Sequence, residues 1–90
     1  MTEKVDIYDT TVKVISQKGH CAAGQKVGDE WVVGMRTPAG ICIAAFNSML
    51  PAIRVLRYGG LYPGEDAEMR TVACPDADNP VVYEVRRIRK

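Results

Sequence analysis

Three cysteines, Cys21, Cys42 and Cys74, are the residues of this chain with the clearest capacity for chemistry. The flanking residues put Cys21 in a glycine-punctuated loop, Cys42 at the start of a helix and Cys74 at the end of a strand. Binding sites are usually built at such places, whereas cysteines that serve only as small core residues more often lie inside an element. The placement therefore predicts a thiol site, provided that the fold brings the three cysteines together.

Metal binding is the first chemistry that three thiolates could perform. Soft thiolate ligands select zinc, copper(I) or an iron–sulfur cluster. Structural zinc sites usually draw on closely spaced Cys-x2–4-Cys pairs, and the chain contains none, so a site must be assembled from distant positions. The sequence therefore predicts Cys21, Cys42 and Cys74 as metal ligands, with a fourth position that is either open or filled by His20 or Asp76.

Two other functions remain open at this point. A small thiol-dependent enzyme could use Cys42, because the positive end of a helix dipole favours the thiolate form. Cys21 is the alternative nucleophile, with the only histidine, His20, beside it as a base. The third hypothesis is a non-catalytic oligomeric or interaction protein in which the cysteines are structural. The residues alone do not decide whether the protein is an enzyme.

Length and composition limit the class of protein. The 90 residues suffice for one domain, residues 1–90, and the hydrophobic fraction of 47% is ordinary for a globular chain. No apolar run approaches the ~20 residues that span a bilayer, so we expect no membrane segment. The polar start from Met1 to Asp9 does not resemble a secretory signal, and three cysteines are an odd number for a disulfide framework. These features predict a cytoplasmic protein with reduced thiols.

The charges are nearly balanced, with a net charge of +1, which makes nucleic acid an improbable partner. They are nevertheless unevenly distributed. One loop is acidic, and the C-terminus is basic through Arg86, Arg87, Arg89 and Lys90. We interpret this basic end as the solvated terminus of a strand, since it lacks the interleaved aromatics of an RNA-binding segment.

The hydrophobic pattern predicts four strands and one helix. Alternating, β-branched or hydrophobic stretches predict strands at residues 11–16, 30–35, 69–74 and 81–88, the last two forming a hairpin. The spacing of polar and apolar residues over 41–58 predicts the helix. The order β-β-α-β-β favours the α+β class, with a four-stranded, mainly antiparallel sheet or a small open barrel.

The sequence of the predicted helix leads to further expectations about its shape, its end and its burial. Pro51 predicts a kink or a division into two short helices, and Gly59-Gly60 predicts the stop. The helix is so apolar that most of it should be buried, with Ala44 among the residues on its inner side. One sheet face covers only part of such a surface, so we expect a homo-oligomer or a protein partner.

Four segments of the chain form a combination of short motifs, namely Gly19-His20-Cys21-Ala22-Ala23-Gly24-Gln25-Lys26-Val27-Gly28-Asp29, Gly40-Ile41-Cys42 with Ala45-Phe46, Leu56-Arg57-Tyr58-Gly59-Gly60 and Ala73-Cys74-Pro75-Asp76. Together these segments resemble a small bacterial and archaeal protein family to which no function has been assigned. The resemblance covers nearly the whole chain from Thr11 onward, and it implies that all three cysteines belong to the family's motifs. The chain departs from the family at Gln25, where histidine is frequent, and at Ile43, where proline is frequent. A ligand or base at position 25 is weakened here, since glutamine does not titrate.

Overall fold

The computed structural model describes residues 6–89, which form an open, four-stranded antiparallel sheet with one helix. The predicted α+β class and element order are confirmed, and the sheet is open rather than closed into a barrel. The strand predicted at 30–35 is shorter than expected, and Met35 beyond its end is 89% exposed. The elements in chain order are β1 (Thr10–Gln17), β2 (Glu30–Val33), α1 (Ile43–Arg57), β3 (Met69–Ala73) and β4 (Val81–Arg87).

The strand order β2-β1-β4-β3 determines which loops meet. Both β1 and β3 pair antiparallel with β4, so they run parallel to each other and finish at the same edge of the sheet. Gln17 at the end of β1 lies opposite Val81, and Ala73 at the end of β3 lies opposite Val82. We call this edge, where β1 and β3 end and β4 begins, the thiol edge, because Cys21 and Cys74 follow those two strands.

The core lies between α1 and one face of the sheet. The alternation predicted for β4 is confirmed, since Val81, Tyr83 and Val85 are all buried. Val12 and Val14 continue the same face on β1. From the helix, the buried residues are Ala45, Met49, Ala52, Ile53 and Leu56.

Helix α1 is one continuous helix that contains Pro51, so the division into two helices is not what the chain adopts. The predicted stop is confirmed in detail. Gly59 takes a φ of +86°, and its N–H donates to the Leu56 carbonyl while the N–H of Gly60 donates to the Val55 carbonyl at 2.8 Å. These two bonds form the Schellman arrangement, which satisfies carbonyls that the helix end would leave unpaired.

The expectation that most of α1 is buried is wrong. Ala44 is exposed, as are the larger side chains of Ile43, Leu50 and Val55. The physical reason is geometric, because a helix lying on a single sheet buries one stripe of its surface and leaves the rest outside.

The prediction that the basic C-terminus is solvated holds for the exposed Arg89 but is wrong for Arg87. Arg87 is buried, and its guanidinium donates to Glu68 and to the carbonyls of Leu56 and Gly60. Arg89 also pairs with Glu68, while Lys90 lies outside the described residues. The basic strand and the acidic loop therefore neutralise each other.

No helix among residues 6–89 has the length and apolarity to cross a membrane.

Candidate thiol site

The three cysteines line one pocket at the thiol edge. Cys21 from the loop after β1, Cys42 from the residue before α1 and Cys74 from the residue after β3 all contribute to its wall. The pocket has a volume of about 220 Å³, and each of the three residues is half-buried with a free thiol. The fold therefore joins residues that the sequence keeps far apart. The other lining residues are Ala22, Ala23, Ala44, Pro75, Asp76 and Asn79.

The loop that carries Cys21 is tied to the loop that follows Cys74. The N–H of Lys18 donates to the Pro80 carbonyl at 3.0 Å, and the N–H of His20 donates to the Asn79 side-chain oxygen at 2.9 Å. Gly19 makes this approach possible, since a Cβ at that position would lie 2.2 Å from the Asn79 Oδ1 atom. Two of the three cysteine segments are thus held in register by backbone and amide contacts.

The turn after Cys74 is organised by Asp76. Its Oδ1 atom accepts hydrogen bonds from the N–H groups of Asp78 and Asn79, both at 3.1 Å, and its Oδ2 atom accepts one from the Asn79 amide. An aspartate that caps a turn in this way is a common turn-forming device. This network fixes Asn79, which in turn fixes His20 and the Cys21 loop.

The sulfur of Cys74 receives a backbone hydrogen bond. The N–H of Val81 lies 3.3 Å from the Cys74 Sγ atom, and the N–H of Cys74 donates to the Val81 carbonyl at 2.9 Å. A donor aimed at a sulfur stabilises negative charge on it, and such hydrogen bonds tune the sulfur ligands of metal clusters. Cys74 is therefore both anchored and electrostatically supported by the first residue of β4.

Gln25 connects the Cys21 loop to Cys42. Its side chain is almost completely buried, and its Nε2 atom donates to the Gly40 carbonyl at 3.1 Å. Its Oε1 atom accepts a hydrogen bond from the N–H of Cys42 at 3.2 Å and another from the Tyr83 hydroxyl at 3.3 Å. One amide thereby joins the loop, the start of α1 and strand β4, which makes Gln25 the residue that positions Cys42.

Tyr83 is a buried residue of β4 that is linked to Cys42 through the side chain of Gln25. Burial raises the pKa of its hydroxyl well above the ordinary value, and the negative charges that Cys42, Cys21 and Cys74 carry when ionised raise this pKa further. The phenol is therefore a neutral hydrogen-bond donor under ordinary conditions.

The residues predicted as a fourth ligand have different positions. Asp76 lines the pocket, although its carboxylate already accepts hydrogen bonds within its turn. The exposed His20 is not part of the pocket wall. Within residues 6–89, no three or more histidine, cysteine, aspartate or glutamate side chains are arranged to hold a metal ion as they stand.

Sequence reasoning missed two contributors to this site, Tyr83 and Asn79, and it singled out Gln25 only as a departure from the family that the chain resembles. Tyr83 was recognisable as an inward-facing residue of β4, and a buried tyrosine hydroxyl usually needs a partner. That partner could not be identified, because Gln25 lies 58 positions away. Asn79 could not be recognised from the sequence, since its contact with His20 depends on the pairing of β1 with β4.

Comparisons with models of protein families, with curated proteins and with solved structures found no match.

Proposed function

We propose that this protein is a small metal- or cluster-binding module whose ligands are the thiolates of Cys21, Cys42 and Cys74. The observation that carries the proposal is their convergence on one pocket from three separate segments. Thiolates favour soft metals, and the Val81 N–H donor aimed at the Cys74 sulfur suits a sulfur that carries negative charge. A site of this kind needs reduced thiols, so we also propose that the protein works in a reducing compartment such as the cytoplasm.

The fourth coordination position is open in this proposal. His20 is outside the pocket wall, and the Asp76 carboxylate is engaged with Asn79. Two variants test this. H20A and D76N should both retain metal, because asparagine at position 76 can still accept the backbone hydrogen bonds of the turn. A tenfold or greater loss of metal affinity in only one of them would identify that residue as a fourth ligand.

The main test is metal analysis of the protein purified without oxygen, together with its absorption spectrum. Single C21S, C42S and C74S variants should each lose the bound metal, while their circular dichroism remains that of the folded protein. A folded, colourless wild-type protein that contains no metal and ignores added zinc or iron would refute the proposal.

A thiol-dependent enzyme is the second candidate, and the position of Cys42 favours it. Cys42 is the N-cap residue of α1, its side chain makes no capping hydrogen bond, and the first turn contains no acidic residue. The helix dipole therefore acts on its sulfur without competition from a nearby carboxylate in that turn. Measuring the alkylation rate of each cysteine as a function of pH distinguishes this function from metal binding. A nucleophilic cysteine should already react well below about pH 8.5, which is the pKa of an ordinary thiol. Three equally slow thiols would count against this function.

The outer face of α1 supports a further role, self-association. Leu50, Val55 and Tyr58 are exposed there, and with Pro51 and Arg54 they line a shallow groove of about 620 Å³. An apolar patch of this kind is a common interaction surface, and a second copy of the chain is the partner we propose. Light scattering should show a dimer that L50D dissociates, whereas V27D, at an exposed loop residue, should not. A strict monomer at high protein concentration would contradict this role.

A further inference from the structure

We infer that the cleft between α1 and the segment after β2 binds a small organic anion with an apolar body, such as an aromatic carboxylate. We call it the arginine cleft, because Arg36, Arg54 and Arg57 line it. Two of these residues lie in the last turn of α1, whereas Cys42 lies at the other end of the helix, so the inference does not depend on the proposed metal site. Three features carry it, namely the sign of the charges, the shortage of acidic partners and the apolar wall.

The charges that line the arginine cleft all have one sign. Arg36 comes from the segment after β2, and Arg54 and Arg57 come from α1. Among the described residues, no aspartate or glutamate lines the cleft. Basic residues in a last helical turn also offset the negative end of the helix dipole, but that role does not account for Arg36, which belongs to another segment. A cleft lined by one sign of charge concentrates ions of the opposite sign.

Two of the three arginines have no acidic partner in the part of the chain that the structure describes. The guanidinium groups of Arg36 and Arg54 form neither an ion pair nor a side-chain hydrogen bond there. The Arg57 side chain is 13% exposed, and its Nη1 atom lies 3.4 Å from both an Asp9 carboxylate oxygen and the Tyr8 carbonyl. Asp9 therefore neutralises one charge of three. The paired N–H donors of the other guanidinium groups match the two oxygens of a carboxylate.

The rest of the cleft wall is largely apolar. Val33 and Ile53 are buried, Phe46 is half-buried, and Leu50 and Tyr58 are exposed. An inorganic ion would leave this surface in contact with water, whereas a ring or a branched chain would cover part of it. The volume of about 220 Å³ is sufficient for one ring, since a cavity of roughly 150 Å³ holds benzene. Apolar walls with a few charged groups are typical of small-molecule sites.

The test is a titration of the isotope-labelled intact chain, followed through the NMR signals of the backbone amides of residues 33–37 and 46–58. The probes are benzoate, acetate, inorganic phosphate and benzyl alcohol, all at one ionic strength because salt screens the charges. We expect benzoate to shift these signals with a Kd of about 1 mM. Acetate and phosphate lack the ring, and benzyl alcohol lacks the charge, so each should bind at least severalfold more weakly.

Three variants test the arginines. R36Q and R54Q each remove one exposed charge and should weaken benzoate binding by about fivefold or more. The matched control is R70Q, because Arg70 is also exposed but stacks on Tyr62 and does not line the cleft. R70Q should bind benzoate as wild type does. Equal losses in all three variants would show that net charge alone attracts the anion, and they would overturn the inference.

The other outcomes are equally decisive. Phosphate binding as tight as benzoate binding would overturn the assignment to an organic anion, and an absence of signal shifts up to about 50 mM benzoate would overturn the site. Leu50, Arg54 and Tyr58 also line the groove proposed for self-association, so light scattering accompanies each titration. Signal shifts that follow a change in oligomeric state and persist unchanged in R36Q would overturn the inference as well.

Discussion

The hydroxyl of Tyr83 donates a hydrogen bond to the Oε1 atom of Gln25 at 3.3 Å, across 58 positions of the chain. The same oxygen accepts the N–H of Cys42, so strand β4 is connected to the start of α1 through a single buried amide. Cys42 is one of the three cysteines that line the pocket. The stability of the fold and the geometry of the thiol site are therefore coupled through Gln25.

Replacing Gln25 by leucine should destabilise the protein by about 2–3 kcal/mol, because buried partners are left without hydrogen bonds. The partners are the Cys42 N–H, the Gly40 carbonyl and the Tyr83 hydroxyl. Urea denaturation measures the loss in stability, and the metal binding that we propose for the site should weaken with it. The matched control is Q17L, since the side chain of Gln17 makes exposed hydrogen bonds to the carbonyls of Lys18 and Gly19. Equal effects of the two substitutions would show that Gln25 has no special role.

Tyr83 should make the protein sensitive to alkali. An unfolded tyrosine ionises near pH 10, whereas the folded-state pKa of Tyr83 lies above that value. Between the two values the unfolded state has lost a proton that the folded state keeps, so stability decreases as pH rises. The contribution is complete below about pH 10 and then declines by about 1.4 kcal/mol per pH unit.

Urea denaturation between pH 8 and pH 11 tests the alkaline decline in wild type and in Y83F. At neutral pH, Y83F should be less stable than wild type by about 1 kcal/mol, because Gln25 loses one hydrogen-bond donor. Above about pH 10, the stability of Y83F should fall less steeply than that of wild type. Both proteins contain the same cysteines, which also ionise in this pH range. The difference between the two stability profiles therefore reports the ionisation of the Tyr83 hydroxyl alone. Parallel profiles would contradict the placement of this hydroxyl.

Arg87 and its neighbour Arg86 should differ sharply in their importance for folding. The Arg87 side chain is 3% exposed and pairs with Glu68, whereas the Arg86 side chain is 42% exposed and pairs with Asp66 and Glu84. R87M should destabilise by about 2–4 kcal/mol, because helix-end carbonyls and a carboxylate lose their donor. R86M should cost less than about 1 kcal/mol, as is usual for exposed ion pairs. Thermal unfolding compares them, and similar values would refute the burial of Arg87.

Gly59 should be needed for its backbone conformation alone. Its φ is +86°, and a Cβ at this position would meet no atom within 4 Å, so a substitution introduces strain without a clash. G59A should therefore cost about 1 kcal/mol, and G59N should cost less because asparagine tolerates the left-handed region better. Denaturant midpoints of the two variants give the comparison. An alanine variant as stable as wild type would show that the Schellman arrangement adds little.

Local patterns were sufficient to predict the elements of this protein. Alternation identified the strands and the inward face of β4 at Val81, Tyr83 and Val85, and the glycines identified where α1 ends. These predictions succeeded because side-chain periodicity and glycine conformation act within a few residues. The predictions that most of α1 is buried and that Arg87 is solvated were wrong, because both properties depend on which other segments pack against these residues.

The sequence by itself determined the fold class, the four strands, the helix and its stop, and it directed attention to Cys21, Cys42 and Cys74. Only the tertiary structure decided that these cysteines share a pocket. The physical reason is the pairing of β4 with both β1 and β3, which makes those strands parallel and brings their following loops to one edge. Gln25 then holds Cys42 at the same place through contacts that no local pattern encodes.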